Sequence, residues 1–277
     1  MERRRPCQWR PEGPKAAFDW PQGNRSVNVM AMQIDFVSPD TIARLAGFDS
    51  PTISNVIELF EVRQRNCGFM TPAIRSLFPE LPPIVGYAST ATYRSSRPLA
   101  QGEAISSLVE HVEALRTLPS PRIVVFQDLD EPPAAATFGE VMAAIYKRFG
   151  CVGLITSGAA RDLEAVRHMD FAVFASGISV SHGFGRIEAV HCPVNVGGLT
   201  IRPGDLIHAD LNGVVTVPKA IAGQVADACT GWIDAEAIVL NYLKRPEVDI
   251  AGLKGALEEL GAAIRKLRDS SPSPELV

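Results

Sequence analysis

The sequence lacks the features that mark several large classes of protein. No run reaches the roughly 18 apolar residues that a membrane-spanning helix needs, so we expect no membrane partner. The five cysteines are odd in number and form no CxxC pair, which argues against a disulfide framework and predicts a reduced, cytoplasmic protein. The 27 lysines and arginines do not exceed the 31 acids, so we expect no nucleic-acid partner. The histidines show no HxxxH-type metal spacing.

The composition is that of a globular protein preceded by an unusual N-terminal segment. The chain has 277 residues, of which 46% are hydrophobic and 21% charged, enough for one large α/β domain or two small ones. Residues 1–36 are rich in Arg, Pro, Gly and Asn and show no helical or strand period, so we predict a mobile N-terminal arm. A gene-start extension ahead of Met30 or Met32 is an equally good interpretation. The basic beginning leads into no apolar segment, and we expect no secretory signal.

Strand and helix patterns alternate after the arm. "PPIVGYASTATYRS", "PRIVVFQDL" and "CVGLITSG" are typical of strands, whereas "AISSLVEHVEALRTL" and "FGEVMAAIYKRFG" are typical of helices. Short β-like pieces follow up to about residue 218, and a helical region broken near Arg245-Pro246 closes the chain. The pattern predicts one α/β domain with a β-rich portion over residues 37–245, then a C-terminal helix and a disordered tail over 246–277.

The segment "GLITSGAARDLEAV" places Arg161 and Asp162 where a predicted strand passes into a predicted helix. One interpretation is helix-start chemistry, because an acid in the first turn is favoured by the unpaired N–H groups. The other is a ligand site, in which the carboxylate holds a metal ion and the guanidinium holds an anionic substrate. Open α/β sheets bind ligands beyond the carboxyl ends of their strands, which is where this pair lies.

A second candidate element begins the helix of "TFGEVMAAIYKRFG". Val141, Ile145 and Phe149 recur four apart and form an apolar helix face, and Gly139 and Glu140 stand at its start. The first N–H groups of a helix have no internal partner and can bind a carboxylate or a phosphate. Gly139 permits close approach of the backbone, and Glu140 would add a second acid near Asp162. A simple helix start remains the alternative.

Together the two elements resemble the signature of the RraA-like family. "GEVMAAIYKRFGCVGLITSGAARDLEAV" is similar to its Gly-[Glu/Asp]-Leu-Leu-Ala…Gly-x-x-Gly-x-x-x-x-Gly-x-x-Arg-Asp pattern. The likeness continues through "AVFASGIS" and ends in "VGGLTIRPGDLIHADLNGVVTVP", so that it covers about Pro39 to Leu243. The resemblance implies a swivelling β/β/α-type α/β domain, here with a helical C-terminal extension, assembled as a homotrimer or as a hexamer formed by two trimers.

The family contains two functional classes. Class II pyruvate aldolases use a divalent metal to cleave 4-hydroxy-4-methyl-2-oxoglutarate or 4-carboxy-4-hydroxy-2-oxoadipate, and often decarboxylate oxaloacetate. Regulators of ribonuclease activity bind an endonuclease and catalyse nothing. A methyltransferase is not indicated, because no glycine-rich S-adenosylmethionine loop follows the first strand.

The resemblance assigns metal-binding roles to three acids. Asp162 matches the carboxylate that ligates Mg²⁺ or Mn²⁺ directly, and Glu140 matches the position that touches the ion through water. Glu236 lies where family aldolases supply a glutamate that reaches, through water, a metal in the adjacent subunit; a solvated helical acid is the alternative. Silent regulators can carry a neutral residue after the arginine, so the acid at Asp162 favours an enzyme.

The substrate side of the site is implied in the same way. Arg161 matches the arginine that contacts the keto-acid oxygen, and Gly139 with the amides of Val141 and Met142 matches the backbone that binds the pyruvyl carboxylate. The chain departs from the family at "QDLDEPPAAAT", at Asn55 and at "ADLNG". We therefore predict a metal-dependent carbon–carbon lyase acting on a 2-keto acid, with a ribonuclease-regulator-like binding protein or a lyase for another keto acid as alternatives.

Overall fold

The computed structural model describes residues 36–103 and 105–271, which belong to one compact unit. The predicted N-terminal arm, apart from Phe36, and the end of the predicted tail lie outside the described residues, so both stay predictions. None of the helices in the described part of the chain is long and apolar enough to span a membrane.

The described residues form seven α-helices, a short 3-10 helix (Lys219–Ile221) and thirteen strands. The helices are α1 (Pro39–Leu45), α2 (Ser50–Glu58), α3 (Leu108–Leu115), α4 (Glu140–Arg148), α5 (Leu163–Arg167), α6 (Ala222–Leu243) and α7 (Ile250–Asp269). The strands are β1 (Arg75–Ser76), β2 (Ile84–Arg94), β3 (Arg122–Asp128), β4 (Ala136–Phe138), β5 (Cys151–Thr156), β6 (Ala159–Ala160), β7 (Ala172–Ala175), β8 (Gly177–Ile178), β9 (Arg186–Val190), β10 (Val194–Val196), β11 (Leu199–Ile201), β12 (Leu206–Asp210) and β13 (Gly213–Val217).

The largest sheet is mixed, with a parallel centre. Its order is β1-β7-β5-β3-β2-β12-β13, and β2, β3, β5 and β7 run parallel to one another. Parallel neighbours need a crossover connection, and α3, α4 and α5 lie in the three crossovers. The long strand β2 pairs with β12 through its first half and with β9 through its second half.

Strand β3 shows why these layers form. Ile123 and Val125 belong to the hydrophobic cluster on one face of the sheet, and Val124 and Phe126 belong to the cluster on the other face. A strand covered on both faces needs a continuous apolar run rather than an alternating one, as "IVVF" provides. Helices α3, α4 and α5 cover one face, and the hairpin of β10 and β11 covers the other. This β/β/α layering confirms the predicted α/β class with a β-rich portion.

The terminal helices form a third packed region. Helices α1, α2 and α6 pack with β2, β12 and β13 around another hydrophobic cluster. Helix α6 ends at Leu243 and α7 begins at Ile250 with Asp249 as its cap, which confirms the predicted break near Arg245-Pro246. Helix α7 contacts the core through Ile264 and Leu267 near its end.

Candidate functional site

A small parallel sheet brings the two sequence elements together. Strands β4, β6 and β8 pair side by side, with Phe138 opposite Ala160 and Ala160 opposite Ile178. Because parallel strands end at the same edge, the residues that follow β4 and β6 become neighbours. Gly139 and Glu140 therefore lie beside Arg161 and Asp162, as the resemblance implies.

The carboxylate of Asp162 lies directly against the start of α4. Its Oδ2 accepts a hydrogen bond from the backbone N–H of Glu140 at 3.0 Å, and the Nε of Arg161 lies 3.6 Å from the same oxygen. A Cβ at Gly139 would come within 2.3 Å of this Oδ2. The backbone of Gly139 is extended, with φ of −152°, so the site needs glycine there for space and not for conformation.

The geometry does not support the helix-start interpretation of Asp162. The residue occupies the N-cap position of α5, yet its side chain makes no capping hydrogen bond to that helix. Its φ of 57° is left-handed, a conformation that costs a non-glycine residue about 1–3 kcal/mol and is concentrated at functional sites. The carboxylate thus interacts with the first amide of a different helix.

An open cavity of about 460 Å³ lies against Arg161 and Asp162. Its other lining residues come from the end of β6, the start of α5, the end of β8 and the two residues that follow β8: Ala160, Leu163, Ile178, Ser179 and Val180. Small-molecule sites usually measure about 300–1,000 Å³. The cavity is therefore of the size that small-molecule sites have. The sequence pattern "AVFASGIS" points to the fold alone and does not indicate that Ile178 and Val180 form a wall of the site.

The carboxylate of Asp162 at this cavity could act as a ligand of a weakly held, hard divalent cation. Oδ2 of Asp162 accepts a hydrogen bond from the Glu140 amide, whereas Oδ1 accepts no hydrogen bond from the described residues. Mg²⁺ is commonly bound by one or two carboxylates and several waters. No group of three or more His, Cys, Asp or Glu side chains suited to a metal occurs in residues 36–103 and 105–271. A site with one direct carboxylate and open space beside it fits Mg²⁺ or Mn²⁺.

The other predicted residues are placed as follows. The amides of Val141 and Met142 belong to the first turn of α4, where N–H groups have no partner within the helix. The side chain of Glu140 is exposed. Glu236 lies on α6, where its Oε1 accepts a hydrogen bond from the indole N–H of Trp232 at 2.8 Å. Glu236 does not line the cavity of its own chain, so a role at the site would have to act across a subunit interface.

Two buried polar residues, Asp128 and Tyr93, are not indicated by the sequence patterns of the site. Asp128 is 8% exposed, and its Oδ2 has no hydrogen-bond partner among the described residues. Burial raises the pKa of this carboxyl group to about 6. The pKa of the Tyr93 hydroxyl is raised to about 12, mainly by burial and also by the charge of Asp128, while the charge of Arg161 acts to lower it. Tyr93 therefore interacts electrostatically with both Asp128 and Arg161. The sequence signal that could have pointed to Asp128 is the unusual "QDLDEPP" segment, which begins at the end of β3.

The fold and this site define a class: an α/β protein in which an arginine–aspartate pair lies against the N-terminus of a neighbouring helix and lines an open cavity. The RraA-like family profile, described as Aldolase/RraA, matches residues 51–216. The chain belongs to the RraA-like family.

Similar sequences and structures among known proteins support this family membership. A protein of Halalkalibacterium halodurans named "Putative 4-hydroxy-4-methyl-2-oxoglutarate aldolase" is 30% identical over 171 residues, which cover 60% of this chain and 71% of that protein. Protein DlpA of Legionella pneumophila is 29% identical over 138 residues, but these cover 49% of this chain and only 22% of that protein. The crystal structure of Streptomyces coelicolor RraAS2, described as an unusual member of the RNase ES inhibitor RraA protein family, superposes with a TM-score of 0.57 at 24% identity, covering 73% of this chain and 97% of that one. At this identity the superposition shows the fold alone.

Proposed function

We propose that this chain is a divalent-metal-dependent pyruvate aldolase that cleaves a 4-hydroxy-2-oxo acid, the class to which 4-hydroxy-4-methyl-2-oxoglutarate belongs, and that also decarboxylates oxaloacetate. The observation that carries the proposal is the position of Asp162. Its carboxylate is turned out of its own helix, lies 3.0 Å from the first amide of α4, and is adjacent to Arg161 at the cavity. The aldolase name of a relative that is 30% identical supports the same class.

The proposed reaction needs a site that stabilises negative charge on a keto acid. The C3–C4 bond breaks, its electron pair stays on C3 to form the enolate of pyruvate, and the C4 hydroxyl loses its proton as C4 becomes a carbonyl. Protonation of C3 then converts the enolate into pyruvate, which leaves the site. Loss of CO₂ from oxaloacetate leaves the same enolate, so one arrangement of residues serves both reactions. A divalent ion on Asp162 would supply Lewis-acid stabilisation of the developing charge.

The residues of this chain would bind and orient the pyruvyl half. The amides of Val141 and Met142, at the positive end of α4, would bind its carboxylate. Arg161 would donate to the keto oxygen as that oxygen gains charge, which is the stage at which a preorganised donor lowers the barrier. Gly139 leaves the space in which Asp162 and the substrate both approach the backbone.

The finer features of the proposal concern assembly and location. A homotrimer, or a hexamer of two trimers, would allow Glu236 of one chain to face the cavity of the next. Ile233 and Leu240 on the same helix are exposed in the single chain, and burying them at an interface would place Glu236 within it. The thiols of three cysteines are free (Cys151, Cys192 and Cys229), which supports a reducing, cytoplasmic location.

The test is pyruvate release from oxaloacetate and from 4-hydroxy-4-methyl-2-oxoglutarate. We expect EDTA to abolish it to the uncatalysed rate, and Mg²⁺ or Mn²⁺ to restore it. Asp162→Asn should be inactive, because asparagine tolerates the left-handed backbone but loses the charge that holds the ion. The matched control is Asp170→Asn, since Asp170 is also an exposed left-handed aspartate, with φ of 49°, but does not line the cavity.

The same assay separates the proposal from its alternatives. Full activity in excess EDTA would exclude metal-dependent chemistry. If the metal-loaded protein released no pyruvate from either compound, the chain would be a lyase for some other keto acid or a regulator-like binding protein.

A further inference from the structure

The segment that follows β8 first contributes to the cavity and then turns back towards the large sheet. Val180 lines the cavity, and residues 181–185 form a compact turn, which we call the glycine turn. Within it, the N–H of Gly185 donates to the carbonyl of His182 at 2.9 Å. The motif that contains this turn, "SHGFGR", takes no part in the function proposed above.

Hydrogen bonds attach the glycine turn to the ends of two strands. The carbonyl of Ser181 accepts a hydrogen bond at 2.7 Å from the N–H of Ala136, the first residue of β4. The N–H of Phe184 donates at 2.9 Å to the carbonyl of Ser95, which directly follows β2. The chain on the far side of Val180 is therefore fixed to the small sheet and to the end of a long strand of the large sheet.

The glycine turn also lies directly on the hydroxyl group of Tyr93. A Cβ at Gly185 would come within 2.0 Å of this hydroxyl oxygen and within 2.9 Å of the carbonyl oxygen of His182. The φ angle of Gly185 is not left-handed, so glycine is needed there for space and not for conformation. The ring of Tyr93 is buried in the cluster that α3 and α4 cover, with its centroid 5.7 Å from that of Phe126. Because interiors are close-packed, this ring has little room to move away from the turn.

Tyr93 also lies within electrostatic range of Arg161. The positive charge of Arg161 acts to lower the pKa of the Tyr93 hydroxyl, against the larger effect of burial. Strand β2 ends at Arg94, so Tyr93 stands at the carboxyl edge of the large sheet, the edge at which open α/β sheets bind ligands. One side chain therefore contacts the glycine turn and interacts with the arginine that we propose to bind the keto oxygen.

We propose that Tyr93 is a positioning residue of this site: its hydroxyl group, in contact with Gly185, fixes the glycine turn and thereby the place of Val180 at the cavity. This inference rests on the proposed function and adds a residue to it. Tyr93 acts through the turn and not through a contact with the substrate. A side chain at Gly185 should displace the turn rather than the packed ring, and with the turn the part of the cavity that Val180 forms.

Gly185→Ala tests the inference on the Mn²⁺-loaded protein. The turn must retreat by about 1 Å to relieve the overlap with the Tyr93 hydroxyl group, and we expect kcat/KM for pyruvate release from oxaloacetate to fall at least about tenfold. The loss should lie mainly in KM, and Mn²⁺ affinity should stay that of wild type, because Arg161 and Asp162 do not belong to the turn. The matched control is Gly177→Ala: Gly177 begins β8, at the other end of the segment, and a Cβ there meets nothing within 4 Å.

A second substitution separates positioning from a general loss of stability. Tyr93→Phe keeps the ring but removes the oxygen that would lie 2.0 Å from the new Cβ. Combined with Gly185→Ala, it should raise kcat/KM at least about threefold above that of the Gly185→Ala single variant, as expected for two groups in contact. A merely structural defect would instead make the double variant worse than either single one.

The possible results are distinguishable. Equal kcat/KM in Gly185→Ala and Gly177→Ala, or a double variant no better than Gly185→Ala, overturns the inference and leaves the aldolase proposal intact. So does a Gly185→Ala variant that loses Mn²⁺ affinity, or one whose assembly size changes in sedimentation, since the turn would then act at a subunit contact. If the wild-type protein releases no pyruvate, the proposed function fails and the positioning role of Tyr93 fails with it.

Discussion

Replacing Gly139 with alanine tests the site through a single methyl group. The new Cβ would lie 2.3 Å from Oδ2 of Asp162 and 3.0 Å from Nε of Arg161, whereas ordinary contacts begin near 3.4 Å. The carboxylate must therefore retreat by about 1 Å, away from the Glu140 amide. A misplacement of this size typically costs about a hundredfold in rate. We expect Gly139→Ala to lower kcat for pyruvate release by about that factor and to weaken Mn²⁺ binding in a direct titration.

The fold itself should tolerate this change, because Gly139 has an extended backbone that alanine adopts readily. Gly177→Ala is the matched control: Gly177 belongs to β8 of the same small sheet, and a Cβ there meets nothing within 4 Å. We expect the two variants to melt near the wild-type temperature, and only Gly139→Ala to lose activity and metal affinity. Near-normal kcat and Mn²⁺ affinity in Gly139→Ala would show that the close packing of Asp162 against α4 has no role in the chemistry.

Three further changes test separate parts of the structure. Arg161→Lys should lower kcat at least about a hundredfold, because a point charge cannot replace the planar fork at a developing oxyanion; near-normal turnover would exclude that role. The raised pKa of Asp128, about 6 against an ordinary value near 4, means that its charge costs stability as the pH rises through this range. Asp128→Asn should therefore unfold in urea with about 1–3 kcal/mol more free energy than wild type at about pH 8, and with no such gain at about pH 4; a difference independent of pH would contradict this. Ser107 and Glu110 form a capping box at α3, so Ser107→Ala should cost about 1 kcal/mol of unfolding free energy, and an unchanged value would show that the box contributes nothing.

Local signals in the sequence are enough to predict most of the larger elements. The run "IVVF" in β3 is apolar at every position because both faces of that strand are buried. Ser38 caps α1 by accepting a hydrogen bond from the N–H of Thr41, three residues along the chain. These features depend on residues close together in the chain, and for this reason a single sequence reveals them.

Local sequence signals do not predict the order of the strands or the existence of the small sheet. Strand β2 divides its pairing between β12 and β9, a choice made by contacts more than 90 residues apart in the chain. The strands of the small sheet, β4, β6 and β8, have only two or three residues each, too few for any periodic pattern to appear. The sheet that carries the site is therefore the part of the fold with the weakest sequence signal.

Helix α4 shows a second limit of periodicity. The spacing predicts an apolar face of Val141, Ile145 and Phe149, but Val141 is 71% exposed, and the fully buried side chains of the helix are Ala143 and Tyr146. The hydroxyl group of Tyr146 makes this residue ambiguous in a hydrophobic pattern. Its partner is the buried His111, 35 residues earlier in the chain, whose Nδ1 lies 2.8 Å from the hydroxyl. A hydrophobicity pattern does not reveal a polar contact of this kind, so it does not predict that Tyr146 is buried.

The role of Asp162 shows both limits of sequence-based prediction, because it depends on a contact distant in the chain and on a backbone conformation. The sequence places it at the carboxyl end of a strand, next to Arg161, and so at the sheet edge where ligands bind. It does not distinguish an acid that caps its own helix from one that serves another, because that depends on the backbone angle of the residue itself. The left-handed φ of 57° directs the carboxylate to the Glu140 amide, and one hydrogen bond of this kind contributes about as much as the strain costs. The contact therefore brings the fold little net stability, whereas it presents a charged oxygen to the cavity beside Arg161. This arrangement is most simply explained by the chemistry proposed for it.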